Sequence, residues 1–418
     1  MKLKLTALLL LTSFFSYAQD IPFWIQKYSI PLDTSLIKSS AIQKYLKNEQ
    51  HILLGEPTHG DGTIMDYKVS LIRMLHEKYG YDVIMFEADM LKFYAASKKG
   101  LTDTRAVLNA TLPTMWSNAA ELERLIDYID QQNRIGDSLF VVGFDTQLTQ
   151  ASVPTLNTAL PAFMKANNIT LSADTGSNGL DEHRNFFSTL VLLINKRYRN
   201  NTNLVSTANF PRFEETLHGL RRQSQLVKNS EGGFWNQTLG NIIDYLPQLY
   251  ADNRLPHKFT TADRSLRDSI MANNFSYLVE QKFKGKKTIS WAATDHIRRN
   301  VPGEPSKKMG EFLKQKLTRP PYVIGFTAGA GEYYNYIDKK VYPIPDLVPG
   351  SFEYFGSKAK KGDFFLDLRS NLTKTKKSGF GQKISMRPMA YYPITTDWTI
   401  PLDAVIYVDQ AKASKMLR

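Results

Sequence analysis

The chain reads as an α/β protein: a parallel or mixed central sheet with flanking helices and an inserted helical lobe. Three observations lead there. Short apolar runs alternate with long segments of helical periodicity; the first such helix stops on a glycine; and between about 155 and 285 the strand-like runs give way to amphipathic helical pattern.

Composition sets the class. The chain has 418 residues, 42% of them hydrophobic and 22% charged, which is enough apolar material for a sizeable core and excludes disorder or a collagenous chain. It contains no cysteine, so thiol nucleophiles, disulfides and Cys-based zinc sites are excluded. The formal charge of +13 is spread over short groups such as Lys286-Lys287 and Lys307-Lys308 rather than gathered in one stretch. These read as solvated faces, and no nucleic-acid partner is expected.

The first element is a leader. Lys2 and Lys4 precede the apolar run Leu5 to Phe15, and Ser16-Tyr17-Ala18 places small residues before a cut ahead of Gln19. That order describes a signal peptide over 1–18, and the apolar run is too short for a transmembrane anchor. The expectation is a periplasmic or secreted protein without a membrane anchor.

Next comes a strand, helix, strand unit. His51-Ile-Leu-Leu54 runs into Gly55; Ile64, Tyr67, Leu71 and Leu75 recur at helical spacing up to Gly80; Tyr81 to Phe86 is apolar again. Further strands are expected at Leu139 to Phe144, Lys287 to Trp291, Tyr322 to Thr327, Asp363 to Leu368 and Asp403 to Val408. Their spacing by helical stretches favours a parallel or mixed sheet. Phe213 to Val227, Leu239 to Tyr250 and Ser265 to Phe283 are the clearest helices of the lobe, and no linker rich in Pro, Gly or Ser sets it off as an independent domain. The stretch Gly356 to Gly381 otherwise reads as exposed loop or hairpin.

Ligands of α/β sheets collect at the carboxyl ends of the strands. There the first strand runs into Glu56-Pro-Thr-His59-Gly60, the second ends at Glu87, the third at Asp145, and the fourth leads through Ala292-Ala293-Thr294-Asp295 to His296. Glu87 follows a nearly continuous apolar run, so its carboxylate needs a His or Arg partner. Asp145 also reads as a turn cap. His51, His76, His183, His218 and His257 read as surface histidines.

Leu54-Gly-Glu-Pro-Thr-His-Gly60, Lys68, Gly80-Tyr81 and Phe86-Glu87-Ala88 together resemble the opening signature of the erythromycin esterase family. The likeness continues through Trp116, Glu121, Asn133, Gly143 to Gln147, Arg267-Asp268, Trp291 to Ile297, Met309-Gly310 and Leu402 to Tyr407. It spans nearly the whole chain after the leader, so 19–418 is expected to form a single domain. The resemblance implies ester hydrolysis by an activated water, without a serine nucleophile, cofactor or metal. It makes His59 the general base, has Glu56 and Glu87 orient it or the water, and lets His296 and Arg267 stabilise the oxyanion. Lys68, Trp116 and Asp145 are the candidate substrate-binding residues, and the partner is a small-molecule ester or lactone. The chain lacks a Gly-x-Ser-x-Gly elbow, and a histidine of ordinary pKa suits proton transfer from water at neutral pH. It departs from the family's usual pattern in carrying Ala293-Thr294 where a His-Asn pair is common, and Lys68 where Arg is frequent. Two alternatives stay open: a metal-dependent hydrolase using Glu56, His59, Glu87 and His296 as an N/O ligand set, and an exported binding protein with a degenerate site.

Overall fold

In the computed structural model, which describes residues 25–32, 40–147, 152–171, 185–194, 210–250, 260–369 and 383–417, the run His51–Glu56 is a strand buried at every position. A strand that alternates faces yet buries every residue must be covered on both sides, as in the interior of a parallel sheet. The chain forms two compact units: one of residues 1–87, 103–141 and 286–418, the other of 88–102 and 142–285. The leader, His183 and His257 lie outside the described residues, as does most of the stretch after Arg369 that reads as loop or hairpin.

The strands, in chain order, are β1 (Ile30–Pro31), β2 (His51–Glu56), β3 (Tyr81–Asp89), β4 (Phe140–Asp145), β5 (Lys287–Ala293), β6 (Tyr322–Asn335), β7 (Lys340–Pro343), β8 (Phe364–Asp367), β9 (Ile384–Met386), β10 (Ile394–Thr396) and β11 (Ala404–Ala411). In the first unit the sheet order is β1-β8-β11-β6-β2-β5-β3. Its centre is parallel: β2 pairs with β5 and β6, β5 with β3, and β6 with β11. Short antiparallel partners complete it, with β8 beside β11, β1 beside β8 and β7 beside β6, so the sheet is mixed.

The helix Gly62–Tyr79 connects β2 to β3 and ends on Gly80 at φ 67°, the left-handed cap that only glycine adopts without cost. Its buried face reaches as far as His76. His76 is therefore buried, with Nδ1 3.2 Å from the Tyr81 carbonyl and the ring edge-on to Tyr128. His51 is buried in β2 beside the Thr288 hydroxyl, and desolvation drives its pKa down to about 4. Both histidines thus correct the expectation of a surface position. Each sits among apolar neighbours on a core-facing element, where a single polar residue leaves the hydrophobic period intact. The His218 side chain is 43% exposed, in keeping with a surface position.

β6 runs on to Asn335, well past its last partner in β11, Gly331 paired with Ala411. Among the described residues the strand partner of this overhang is β7, with which it forms a hairpin. The second unit, which the chain enters through β3 and β4, is mostly helical, with helices Val153–Ala166, Phe210–Leu226, Ser230–Tyr250 and Thr261–Tyr277. The last of these opens with a capping box between Thr260 and Asp263 and runs into a π-helical turn, Leu278–Lys282. Among the described residues no helix is long and apolar enough to cross a membrane.

Candidate active site

Register sets the site. Gly55 and Glu56 of β2 lie beside Ala292 and Ala293 of β5, and Phe86 of β3 lies beside Trp291. The carboxyl ends of three neighbouring parallel strands are therefore level, and Glu56, Glu87 and the turn bearing His296 leave the sheet together. Of the strands flanking β2, β5 leads toward β3 and β6 toward β11. This is where doubly wound sheets open a crevice.

Glu56 is the hub. Its Oε1 accepts from His59 Nδ1 at 2.7 Å and from the Trp116 indole N–H at 2.9 Å, and its Oε2 accepts from Lys68 Nζ at 2.5 Å. The carboxylate is buried, which alone would raise its pKa; the Lys68 ammonium and the hydrogen bonds from His59 and Lys68 overcome burial and hold it below the ordinary value. Burial pulls Lys68 down in turn, opposed by Glu56. Lys68 also donates to the Ala292 carbonyl at 3.1 Å and lies over the Trp291 ring at 4.9 Å. One donor set therefore encloses an ionised glutamate and turns it toward a single imidazole.

Lys68 and Trp116, expected as substrate-binding residues, are both fully buried against Glu56. Neither presents a surface to a ligand. Their place in the order of motifs is explained by what they do to Glu56: a charge buried without partners would be prohibitive, and two donors from separate helices supply them.

Glu87 serves the other imidazole. His296 Nε2 stands 3.4 Å from Glu87 Oε1, and Glu87 Oε2 accepts the Ala293 backbone N–H at 3.0 Å. Of the two glutamates expected to orient His59 or the water, Glu56 meets His59 and Glu87 meets His296. The turn carrying His296, Thr294–Ile297, is pinned from its outer side: Asp295 accepts from Arg298 at 3.0 Å and Lys308 at 2.9 Å. Burial would raise the Asp295 carboxyl, but Lys308 and Arg298 hold it at about 2. The side chains of His59 and His296 are 18% and 20% exposed, so each keeps a ring edge open while its glutamate is buried.

The His59 loop is held by segments distant in sequence. The Pro57 carbonyl accepts Ala390 N–H, and the Gly60 carbonyl accepts Tyr334 N–H and Ser414 N–H. Gly60 is required there, because a Cβ would meet the Tyr334 carbonyl oxygen at 1.8 Å. Asp61, buried between the Tyr391 hydroxyl at 2.8 Å and the Thr58 hydroxyl at 3.0 Å, has its pKa raised by burial to about 7. Sequence reading passed over Asp61. The signal available was a carboxylate between two glycines, two residues from His59. Tyr391 and Tyr336 carried no such signal.

Asp145 and Arg267 lie in the second unit, where Arg267 Nη2 donates to Asp145 Oδ2 at 2.7 Å. Asp145 also accepts from the Thr146 N–H and the Gln147 amide. The pair that separate motifs supply is thus one ion pair. Among the described residues no three His, Asp or Glu side chains converge as ligands of one metal ion. The ligand set considered above is instead divided into two glutamate–histidine pairs.

The chain is similar to known proteins over most of its length. A Bacillus subtilis (strain 168) protein named "Putative hydrolase YbfO" is 26% identical, over 94% of this chain and 92% of its own. A Bacillus cereus protein of known crystal structure superposes with a TM-score of 0.73 at 18% identity, over 96% of this chain and 99% of its own. A succinoglycan biosynthesis protein gives 0.71 at 20% identity, over 96% and 98%. A histidine-to-asparagine mutant of the erythromycin esterase EreC, in its open conformation, gives 0.62 at 15% identity over the same shares. At such identities the structures speak for the fold alone. The sequence profile described as Erythromycin esterase matches residues 76–411, a span that takes in Glu87, Trp116 and His296 and begins after Glu56, His59 and Lys68. With the profile covering most of its length, this chain belongs to the erythromycin esterase family.

Proposed function

We propose that the protein is an exported hydrolase that cleaves a carboxylic ester or lactone by water activated at His59. The observation that carries this is the 2.7 Å contact between His59 Nδ1 and a Glu56 that Lys68 and Trp116 keep ionised. With Nδ1–H donated to Glu56, the lone pair sits on Nε2, which takes a proton from water as the oxygen attacks the ester carbonyl. Glu56 stabilises the imidazolium that forms. The tetrahedral oxyanion needs a donor, and His296, oriented by Glu87, supplies one when protonated. Collapse breaks the ester C–O bond, and the leaving alkoxide takes the proton back from His59. The products are an acid and an alcohol, or a hydroxy acid from a lactone. Macrolides belong on the assay panel because one structural neighbour is an erythromycin esterase.

The test is His59→Ala in purified full-length protein on a panel of esters, lactones and macrolides, read by mass spectrometry for gain of one water. We expect kcat to fall by about 10² or more with the fold retained, and activity to persist through chelator treatment. Near-parental turnover in the mutant would sink the assignment. Loss of activity on chelation, restored by one divalent ion, would move these residues into the metal-dependent reading.

A further inference from the structure

We infer that the β6–β7 hairpin is a wall of the substrate site, on which Tyr336 selects esters carrying an aromatic or broad apolar group near the scissile bond; this rests on His59 being the base. Among the described residues the His59 ring has two aromatic neighbours. Trp116 meets it edge-on at 5.3 Å, and Tyr336 lies tilted against it at 5.6 Å. Trp116 is fully buried and engaged with Glu56, whereas Tyr336 is 43% exposed and Ile337, next at the hairpin tip, is 78% exposed. The aromatic neighbour with surface to offer is therefore Tyr336.

The hairpin is fixed to the His59 loop on two counts. Tyr334 N–H donates to the Gly60 carbonyl at 3.0 Å, in the close approach that glycine alone permits there. Tyr333 stacks on its cross-strand partner Tyr342 at 6.1 Å and rests against Tyr391 at 5.5 Å, and Tyr391 in turn donates to Asp61. Tyr336 is thus carried by an anchored ribbon rather than a loose tip, and its ring is held beside the base before any ligand arrives. Covering exposed apolar surface is worth about 25 cal/mol per Å², and an aromatic contact adds about 0.5–1.5 kcal/mol. The tip residues Asp338, Lys339 and Lys340 carry both signs, so the wall discriminates by apolar area and not by charge. An apolar contact with a part of the substrate that does not change in the reaction serves ground and transition states alike, so its loss shows in KM and spares kcat.

Two methyl esters of similar carbonyl reactivity, methyl butyrate and methyl 4-phenylbutyrate, separate these effects in the full-length protein. The parent should favour the phenyl ester. Tyr336→Ala should raise its KM about tenfold while kcat stays within about twofold, raise the KM of methyl butyrate several-fold less, and be rescued by Tyr336→Phe. Equal loss of kcat on both esters, no change on either, or a parent that favours methyl butyrate overturns the wall. If the parent hydrolyses neither ester, calorimetric titration with 4-phenylbutyramide decides. Binding that weakens about tenfold in Tyr336→Ala upholds the wall while the hydrolase reading fails; no binding by the parent overturns the wall as well.

Discussion

At the scale of single residues the site is a problem of buried charge. Glu56 is kept ionised inside the protein so that one imidazole is held in one orientation, and Lys68 is the cation that makes this tolerable. Replacing Lys68 with Met preserves volume but leaves the carboxylate with only His59 and Trp116. We expect a loss of about 3–5 kcal/mol of stability, the usual result of removing one partner of a buried pair, measured by urea unfolding; a variant as stable as the parent would show that Lys68 does not compensate Glu56. Asp61 poses the opposite problem, since burial raises its pKa from 3.8 to about 7 against two hydroxyl donors. Between those values the unfolded chain releases a proton that the folded chain keeps. This group's contribution to stability therefore falls as pH rises and is lost above about 7. The displacement corresponds to roughly 4 kcal/mol of preference for the neutral acid. Asp61→Asn removes the titration, so the parent's Tm should drop relative to the variant between about pH 4 and 7. Parallel Tm curves would contradict the assignment. Glu56, His59, Glu87 and His296 were legible because each lies close to the carboxyl end of a strand, but the assignment of one glutamate to each histidine was not, since both glutamates satisfy the same local pattern.

At the scale of elements the His59 loop depends on its neighbours. It is bonded by the hairpin at Tyr334, by the segment around Ala390 and by the C-terminal stretch at Ser414, while Gly62 N–H donates to Lys412. Gly60 is the point of closest approach. Gly60→Ala drives a Cβ to 1.8 Å from the Tyr334 carbonyl oxygen, so loop and hairpin must separate. We expect a cost of about 1–3 kcal/mol, as for other overpacked sites, together with a clear fall in kcat; calorimetry and turnover showing parental values would dismiss the contact. Periodicity placed the elements well: the expected strand at Lys287 to Trp291 is β5, Lys287–Ala293, and the helix Gly62–Tyr79 stops at Gly80. It fell short at β6, expected to end at Thr327 but continuing to Asn335. The residues beyond include Gly329 and Gly331, still beside β11, and then a run of tyrosines that leaves the core and pairs with β7, and together they break the apolar signal.

For the whole molecule, the export expectation stands as a proposal with a direct check. Protein recovered from outside the cytoplasm of an expressing bacterium should begin at Gln19 by mass spectrometry, from the charged, apolar and small-residue order of the leader; an intact Met1 to Ala18 segment would reject it. The α/β class, a parallel or mixed central sheet and the placing of Glu56, Glu87 and His296 near strand ends were determined by sequence alone, because hydrophobic period and chain direction are local properties that a reader can follow residue by residue. Tertiary structure alone decided that Trp116 and Lys68 converge on Glu56, that Tyr391 closes over Asp61, and that Tyr336 comes to rest against His59. Those partners are separated by as many as 330 residues in the case of Asp61 and Tyr391. Which of them meet is set by sheet register and by the reach of one hairpin, and neither leaves a periodic trace in the chain.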